Sequence, residues 1–163
     1  MSLRFRHLDA TPDAPVSTWP TEGVLAAVER GYLRDWRRIA AAVRADPWGP
    51  VARRLEDALA VSRPYGTAVL LERALQRARE EAAATERAEV ARRVHALLDA
   101  SGLGRAAFAE AMGTSPSRLS TYLNGKVMPS AALVVRMERI AAARGQAGDA
   151  SAAATRAAPD PAG

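Results

Sequence analysis

Residues 101–126 read SGLGRAAFAEAMGTSPSRLSTYLNGK, and their spacing predicts two short helices joined by a tight turn. Gly113 supplies the residue that tolerates a positive φ at such a turn. Ala109 is small enough to let the two backbones approach closely, and Leu119 is placed to point from the second helix into the core. We therefore expect a compact helical pair centred on this turn.

The second helix has its own start and stop signals. Ser115 is a good N-cap, and Pro116 follows at the first helical position, where a missing N–H has no consequence. Gly125 ends the helix after Asn124. The apolar side chains of the helix are predicted to share one inward face, which holds Leu119, Tyr122 and Leu123.

The outward face of the same helix is left with small hydroxyls and one arginine, namely Ser117, Arg118, Ser120 and Thr121. A short helix with such a face can enter a DNA major groove without steric conflict. Its side chains can also bond base edges and phosphates. The pattern therefore favours a double-stranded DNA partner.

This stretch, followed by Pro129 and Ser130, resembles the Cro/C1-type (Xre family) helix-turn-helix domain. That family has a Gly-Leu-Thr-Gln opening, an Ala-x3-Gly turn, a serine-rich recognition helix and an Asn-Gly-Lys-x-x-Pro exit. The resemblance covers about 55 residues, from near Glu89 to near Ala143. It implies a domain of four or five helices whose third helix reads the major groove.

The resemblance also implies, by position, a set of DNA-contacting residues. The recognition helix is residues 116–123, and the loop after it is suited to phosphate contacts. Two positions depart from the family: Arg105 replaces a glutamine, which favours a phosphate contact, and Gly104 replaces a threonine cap, which weakens that helix start. The implied contact residues are Arg105, Ser115, Pro116, Ser117, Arg118, Thr121, Asn124 and Lys126.

The whole chain is predicted to be all-α, because few segments are rich in β-branched or aromatic residues. A small N-terminal helical module, with Trp19, Trp36 and Trp48 as bulky anchors, is joined by a long helix to the helix-turn-helix domain. Between residues 67 and 100 the sequence leaves open whether there is one helix or two. The predicted divisions are an irregular arm over 1–20, the helical module over 21–66, a helical linker over 67–87, the helix-turn-helix domain over 88–144 and a disordered tail over 145–163.

Composition excludes some classes of protein and only weakly supports others. The chain has 163 residues, no cysteine and a formal charge of +5, so disulfides and thiolate metal sites are excluded. Its basic residues are nearly all arginine, a bias that a GC-rich genome produces alone. No apolar run approaches the roughly 20 residues of a membrane span, and no signal peptide is visible. A cytoplasmic protein without membrane association is therefore expected.

Catalysis has little support, because His7 and His95 are the only histidines and no metal-ligand spacing or phosphate-binding glycine loop is present. We expect no enzyme activity, metal or cofactor.

The favoured hypothesis is a sequence-specific transcriptional repressor that acts as a homodimer. On this hypothesis, residues 21–66 mediate dimerisation or bind a protein partner and do not form a second DNA-binding surface. They hold eight arginines and six acidic residues, so their net charge is only weakly positive. One alternative is an antitoxin-type protein that neutralises a partner and represses its own operon, and another is an enzyme with an appended DNA-binding domain.

Overall fold

All regular structure is helical in the described part of the chain. The computed structural model describes residues 3–5, 8 and 10–156, and for 145–156 the backbone alone. These residues contain no β-strand, which confirms the predicted all-α class. The elements in chain order are a 3-10 turn (Val16–Thr18), α1 (Thr21–Arg30), α2 (Leu33–Ala45), α3 (Pro50–Val61), α4 (Thr67–Ser101), α5 (Arg105–Met112), α6 (Pro116–Leu123) and α7 (Ala131–Arg156).

The chain divides into two compact units, Met1–Ala83 and Ala84–Gly163. The boundary falls inside α4, in a stretch of charged residues and alanines without a large apolar side chain. Because α4 is one helix from Thr67 to Ser101, the question of continuity that the sequence left open is answered. Each unit has its own cluster of buried apolar side chains.

The core of the first unit lies among α1, α2, α3 and the first part of α4. Trp19, Ile39 and Leu55 are fully buried there. Trp19 meets Phe5 edge-on, with ring centroids 5.2 Å apart, an arrangement that aromatic pairs prefer. Trp36 is half-buried against this cluster. Two of the three tryptophans predicted as anchors therefore pack on the core.

Two arginines hold the irregular N-terminal arm against this core. The Arg38 guanidinium donates to the carbonyls of Pro12 and Ala14 and lies 4.9 Å from the centroid of the Trp19 ring. Arg54 donates to the Trp19 carbonyl at 3.0 Å. Backbone carbonyls outside a helical ladder need other partners when they are removed from water, and these arginines supply them.

Residues 67–83, predicted as part of a linker, belong instead to the first unit. Leu71 is fully buried and Leu75 is 5% exposed. Together with Ala68 and Ala78 they recur at the spacing of one helical face. The charged residues that follow mask this apolar stripe in the sequence, because charged side chains interrupt it from residue 72 onward.

Trp48 is the predicted anchor that the structure contradicts, because 54% of it is exposed. It lies in the turn between α2 and α3, with the Arg79 guanidinium 4.6 Å from its ring centroid. Arg79 also bonds both carboxylate oxygens of Glu56, at 2.7 and 3.1 Å. This hydrogen bonding raises the pKa of Arg79 and lowers the pKa of Glu56. The tryptophan is therefore held at the surface by a paired arginine, not by burial.

The core of the second unit is built from the end of α4 and from α5, α6 and α7. Its fully buried side chains are Phe108, Ala109, Met112, Leu119 and Met137. α6 is the third helix of this unit, which is the position that the resemblance implied for the recognition helix. Both Ala109 and Leu119 therefore occupy the inward positions expected from the sequence.

The last helix is longer than the sequence predicts. α7 continues to Arg156, which corrects the boundary of the disordered tail predicted from residue 145. Residues 147–154 are rich in alanine, the strongest helix former, and this offsets the glycines at 145 and 148. The remainder of the predicted tail, 157–163, lies outside the described residues, as do positions 1, 2, 6, 7 and 9 of the predicted arm. Among the described helices, none combines the length and hydropathy that a membrane crossing requires.

Candidate nucleic-acid interface

The turn between α5 and α6 is made by Gly113. Its φ of 72° and ψ of 38° place it in the left-handed region that favours glycine. The N–H groups of Gly113 and Thr114 donate to the carbonyls of Glu110 and Ala109, each at 2.9 Å. These two bonds close the end of α5 as a Schellman motif. The positive φ predicted for Gly113 is thereby confirmed.

α6 begins with a side-chain cap. Ser115 Oγ accepts a hydrogen bond from the backbone N–H of Arg118 at 3.2 Å, and Pro116 occupies the first helical position. Both features are those predicted from the Ser-Pro pair. The point at which α6 begins is therefore specified locally by the sequence.

The loop after α6 is shaped by Gly125, whose φ is 63°. The N–H of Gly125 donates to the Tyr122 carbonyl at 3.1 Å, and the N–H of Lys126 donates to the Thr121 carbonyl at 2.9 Å. This is a second Schellman closure. It leaves Asn124 and Lys126 exposed on either side of the glycine.

α6 has one buried and one open face. Leu119 is fully buried, and Tyr122 and Leu123 are each 5% exposed. An open depression on the other side is lined by Ser115, Ser117, Arg118, Thr121 and Val127. An α-helix with its side chains is about 10–12 Å across, and the major groove of B-DNA is about 12 Å wide. The open face is therefore of a size that fits the groove.

Arg118 is held by its neighbour one turn along α6. Its Nε donates to the Tyr122 hydroxyl oxygen at 3.0 Å, and this hydrogen bond raises the pKa of Arg118. The two terminal nitrogens have no partner within the described residues. Because a guanidinium offers five N–H donors in a planar fork, most of that fork remains open to a ligand.

The hydroxyls beside Arg118 are partly engaged. Thr121 Oγ1 donates to the Arg118 carbonyl at 2.7 Å, and Ser115 Oγ and Ser117 Oγ share a hydrogen bond of 3.0 Å. A hydroxyl that donates once keeps lone pairs that can accept. This face therefore combines a strong donor in Arg118 with several acceptor oxygens.

The structure brings together four of the predicted contact residues and leaves the other four around them. Ser115, Ser117, Arg118 and Thr121 line the depression. The others are exposed: Pro116 at the start of α6, Arg105 at the start of α5, and Asn124 and Lys126 in the loop. Gly104, which precedes Arg105, makes no side-chain cap, as expected from the missing threonine.

Two residues of this site were not predicted from the sequence. Tyr122 was assigned only to the core, yet its hydroxyl bonds Arg118; the spacing of four residues on one helix was the available signal. Val127 lines the depression, and no sequence pattern indicated it, because its position depends on the turn at Gly125.

Comparison with protein families agrees with this geometry. Residues 94–140 match a family of helix-turn-helix domains. This part of the chain is therefore a DNA-binding domain of the kind found in transcriptional regulators. Within that class it is a helix-turn-helix of the Cro/C1 type, as the sequence resemblance implied. No curated protein and no solved structure shows significant similarity to the chain.

Proposed function

We propose that the chain is a sequence-specific repressor that binds double-stranded DNA as a homodimer, with α6 in the major groove. One observation carries this proposal: the exposed face of α6 gathers Ser115, Ser117, Arg118 and Thr121 in one depression. The apolar face of the same helix is fully used in the core. The polar face is therefore available for a ligand with many hydrogen-bonding groups.

Arg118 is the residue that we assign to base recognition. A guanidinium pairs with O6 and N7 of guanine, which is the commonest base-specific contact in the major groove. The hydroxyls of Ser117 and Thr121 add acceptors for the amino groups of adenine or cytosine. Sequence preference then depends on the pairing of one arginine with a guanine, supplemented by the hydroxyls.

Arg105, Asn124 and Lys126 are assigned to the phosphates on either side. All three are exposed, and the side chains of Arg105 and Lys126 have no partner within the described residues. Residues 88–144 hold eight basic against four acidic side chains. Such an excess of positive charge supports contact with the DNA backbone, which supplies most of the affinity without sequence preference.

The first unit is assigned to dimerisation. A domain of this size buries little DNA surface, and two half-sites bound by a dimer are the usual way to useful affinity. Val61, Tyr65, Val69 and Leu70 are exposed apolar residues at the end of α3 and the start of α4. A symmetric dimer uses the same patch on both copies, and we assign this patch to a second copy of the chain.

Binding to DNA at increasing salt tests the proposal. A duplex selected from a random pool is compared with random duplex. Arg118→Ala should lower the preference for the selected duplex by roughly 5- to 100-fold, whereas Lys126→Ala should weaken both complexes and reduce the salt slope by about 0.9. Arg139→Ala, which removes an exposed charge two turns into α7, is the matched control. An equal loss on both duplexes for Arg118→Ala would contradict its role in base recognition.

Sedimentation equilibrium tests the dimer. Tyr65→Ser combined with Leu70→Ser should convert a dimer into a monomer, while Val135→Ser, an exposed apolar residue of the second unit, should not. A selected DNA site with two-fold symmetry would agree with the dimer. A wild-type monomer that binds a single half-site would overturn it.

The antitoxin-type alternative is favoured by the same apolar patch, because a protein partner can occupy it instead of a second copy. It predicts that a neighbouring gene arrests growth when expressed alone and that coexpression of this chain relieves the arrest. In that case the Tyr65→Ser, Leu70→Ser variant should lose the relief and keep its DNA binding.

A further inference from the structure

A second open groove lies beside α6, on the other side of the loop that follows it. α4 contributes Arg87, Arg92 and His95 to its wall, and the loop after α6 contributes Asn124 and Gly125. The loop packs closely against α4 at Gly125. A Cβ added to Gly125 would lie 3.6 Å from the Arg87 carbonyl oxygen and 3.7 Å from Ala91 Cβ. The floor along α4 is alanine, so no large side chain blocks access.

The groove carries positive charges, and they are largely available to bind a ligand. Arg87 is exposed and has no hydrogen-bond or ion-pair partner within the described residues. Arg92 is exposed as well and is paired with Glu89. Lys126 follows Gly125 directly in the loop. No acidic side chain is among the described residues that line the groove, and Glu89 lies beside it as the partner of Arg92.

The groove lies one loop away from the face of α6 that carries Arg118. Asn124 and Gly125 line the groove, and Val127 lines the depression that contains Arg118. A loop of a few residues therefore separates the groove from the depression. When the bases of a duplex face Arg118, the sugar–phosphate backbone of that duplex lies beside the loop. Residues on both sides of the loop can then contact the backbone.

We propose that this groove binds the DNA backbone next to the base pairs read by α6, with Arg87 as the principal phosphate ligand. The inference rests on the proposed function and extends it. Arg87 and Arg92 precede residue 94, where the match to the helix-turn-helix family begins. The contact is thus a property of this chain's α4, and it lengthens the bound DNA segment on one flank.

Salt-dependent binding and hydroxyl-radical footprinting test this contact on the full chain with the selected duplex. Arg87→Ala should reduce the salt slope by about 0.9, the value for one lost phosphate contact. It should also remove protection from one flank of the footprint and leave the preference for the selected duplex over random duplex unchanged. Arg139→Ala should match the wild type in all three measurements. A wild-type slope and footprint for Arg87→Ala would overturn the proposal.

A gain-of-binding variant provides a second measurement. Glu89→Gln releases Arg92 and removes the negative charge beside the groove, so it should tighten binding at low salt and steepen the salt slope. Unchanged binding would count against the groove. Failure of this inference is distinguishable from failure of the proposed function: if Arg118→Ala loses preference but Arg87→Ala behaves as wild type, only the groove is wrong.

The hydrogen bond from Arg118 to Tyr122 is a separate observation that supports a second inference, which also rests on the proposed function. The structure assigns Tyr122 as a positioning residue for Arg118. Tyr122 is 5% exposed and packs in the core, while its hydroxyl oxygen accepts a hydrogen bond from Arg118 Nε. An arginine tethered at Nε loses fewer conformations on meeting a base. Tyr122 thus couples the core of the second unit to base recognition.

Tyr122→Phe removes the hydroxyl and keeps the ring. It should lower the preference for the selected duplex by roughly 3- to 10-fold, the range of one hydrogen bond, without lowering the melting temperature. In the Arg118→Ala background it should have no further effect on preference, as measured by a double-mutant cycle. A structural role alone would change melting and leave preference intact, and that result would overturn the assignment.

Discussion

The arginines of the first unit and the basic residues around α6 differ in what they contact. In the first unit, Arg38 and Arg54 donate to backbone carbonyls of the arm, and Arg79 pairs with Glu56. Near α6, Arg105 and Lys126 are exposed without partners in the described residues. Arginine therefore stabilises the fold at these three positions of the first unit, whereas beside α6 Arg105 is available to a ligand.

This difference shows why net charge is a poor guide to DNA contacts in this chain. The first unit is rich in arginine, yet the arginines that bond carbonyls already have their ligands inside the protein. It is the unpaired, exposed charges that release counterions when they meet phosphates.

Arg38→Ala should lower the free energy of unfolding by about 2 kcal/mol, because it leaves carbonyls of the arm without donors. The change is measured by urea denaturation. The salt slope of DNA binding should stay at its wild-type value. Arg37→Ala, an exposed neighbour on α2 without a partner in the described residues, is the control for stability. A reduced salt slope for Arg38→Ala would place DNA on the first unit and break the comparison.

Gly113→Ala should destabilise the second unit by about 1 to 2 kcal/mol, since an L residue is strained at φ 72°. The nearest atom to the added Cβ is Arg136 Nη1 at 3.4 Å, an ordinary contact, so the effect is one of backbone strain. Gly104→Ala is the comparison: Gly104 has φ −67° and open space for a Cβ, so this variant has only the smaller cost of replacing a glycine N-cap. Equal unfolding curves for the two variants would contradict the left-handed turn.

Ser115→Ala should cost about 1 kcal/mol through loss of the α6 cap. Ser117→Ala, which leaves the cap intact, should be nearly neutral for stability. Both variants remove a hydroxyl from the depression, so DNA binding measured alongside unfolding separates the cap from the contact. If Ser117→Ala destabilises as much as Ser115→Ala, the cap at Ser115 is wrong.

The smallest expected effect is a pH dependence in the first unit. Hydrogen bonding to Arg79 keeps the folded-state pKa of Glu56 below its ordinary value of 4.5. The pair therefore stabilises the fold above pH 4.5, and this stabilisation is lost as the pH falls through the folded-state pKa. The Glu56 side chain is 46% exposed, so solvent screens the pair and its contribution is below about 1 kcal/mol.

Urea denaturation between pH 7 and pH 3 measures this effect. The stability difference between the wild type and Glu56→Gln should shrink as the pH falls. Glu29→Gln, at an exposed carboxylate without a partner in the described residues, should show no such trend. A difference that grows towards low pH would have the opposite sign and contradict the pairing.

The structural features that could be predicted from the sequence are those that neighbouring residues determine. The turn at Gly113, the cap at Ser115 and the inward face with Leu119 each depend on residues within a few positions, and all three are present. The resemblance to a known domain extended this to the order of the helices. Local backbone chemistry therefore sufficed for the framework of the site.

What was missed depends on contacts between distant residues. Arg38 lies 26 positions from the Pro12 carbonyl that it bonds, and Arg136 reaches the Met112 carbonyl from 24 positions away. The exposure of Trp48 follows from Arg79, 31 positions further along the chain. No periodicity in the sequence indicates such pairs, because they exist only once the helices have packed.

The shortness of α6 has a consequence for how the domain responds to heat or proteolysis. An isolated helix of eight residues is not stable in water, since helices shorter than about 12 residues rarely are. α6 is therefore helical only while Leu119, Tyr122 and Leu123 remain packed. Its amides should therefore exchange with solvent through the same opening as those of α5, and α6 should unfold together with the core of the second unit.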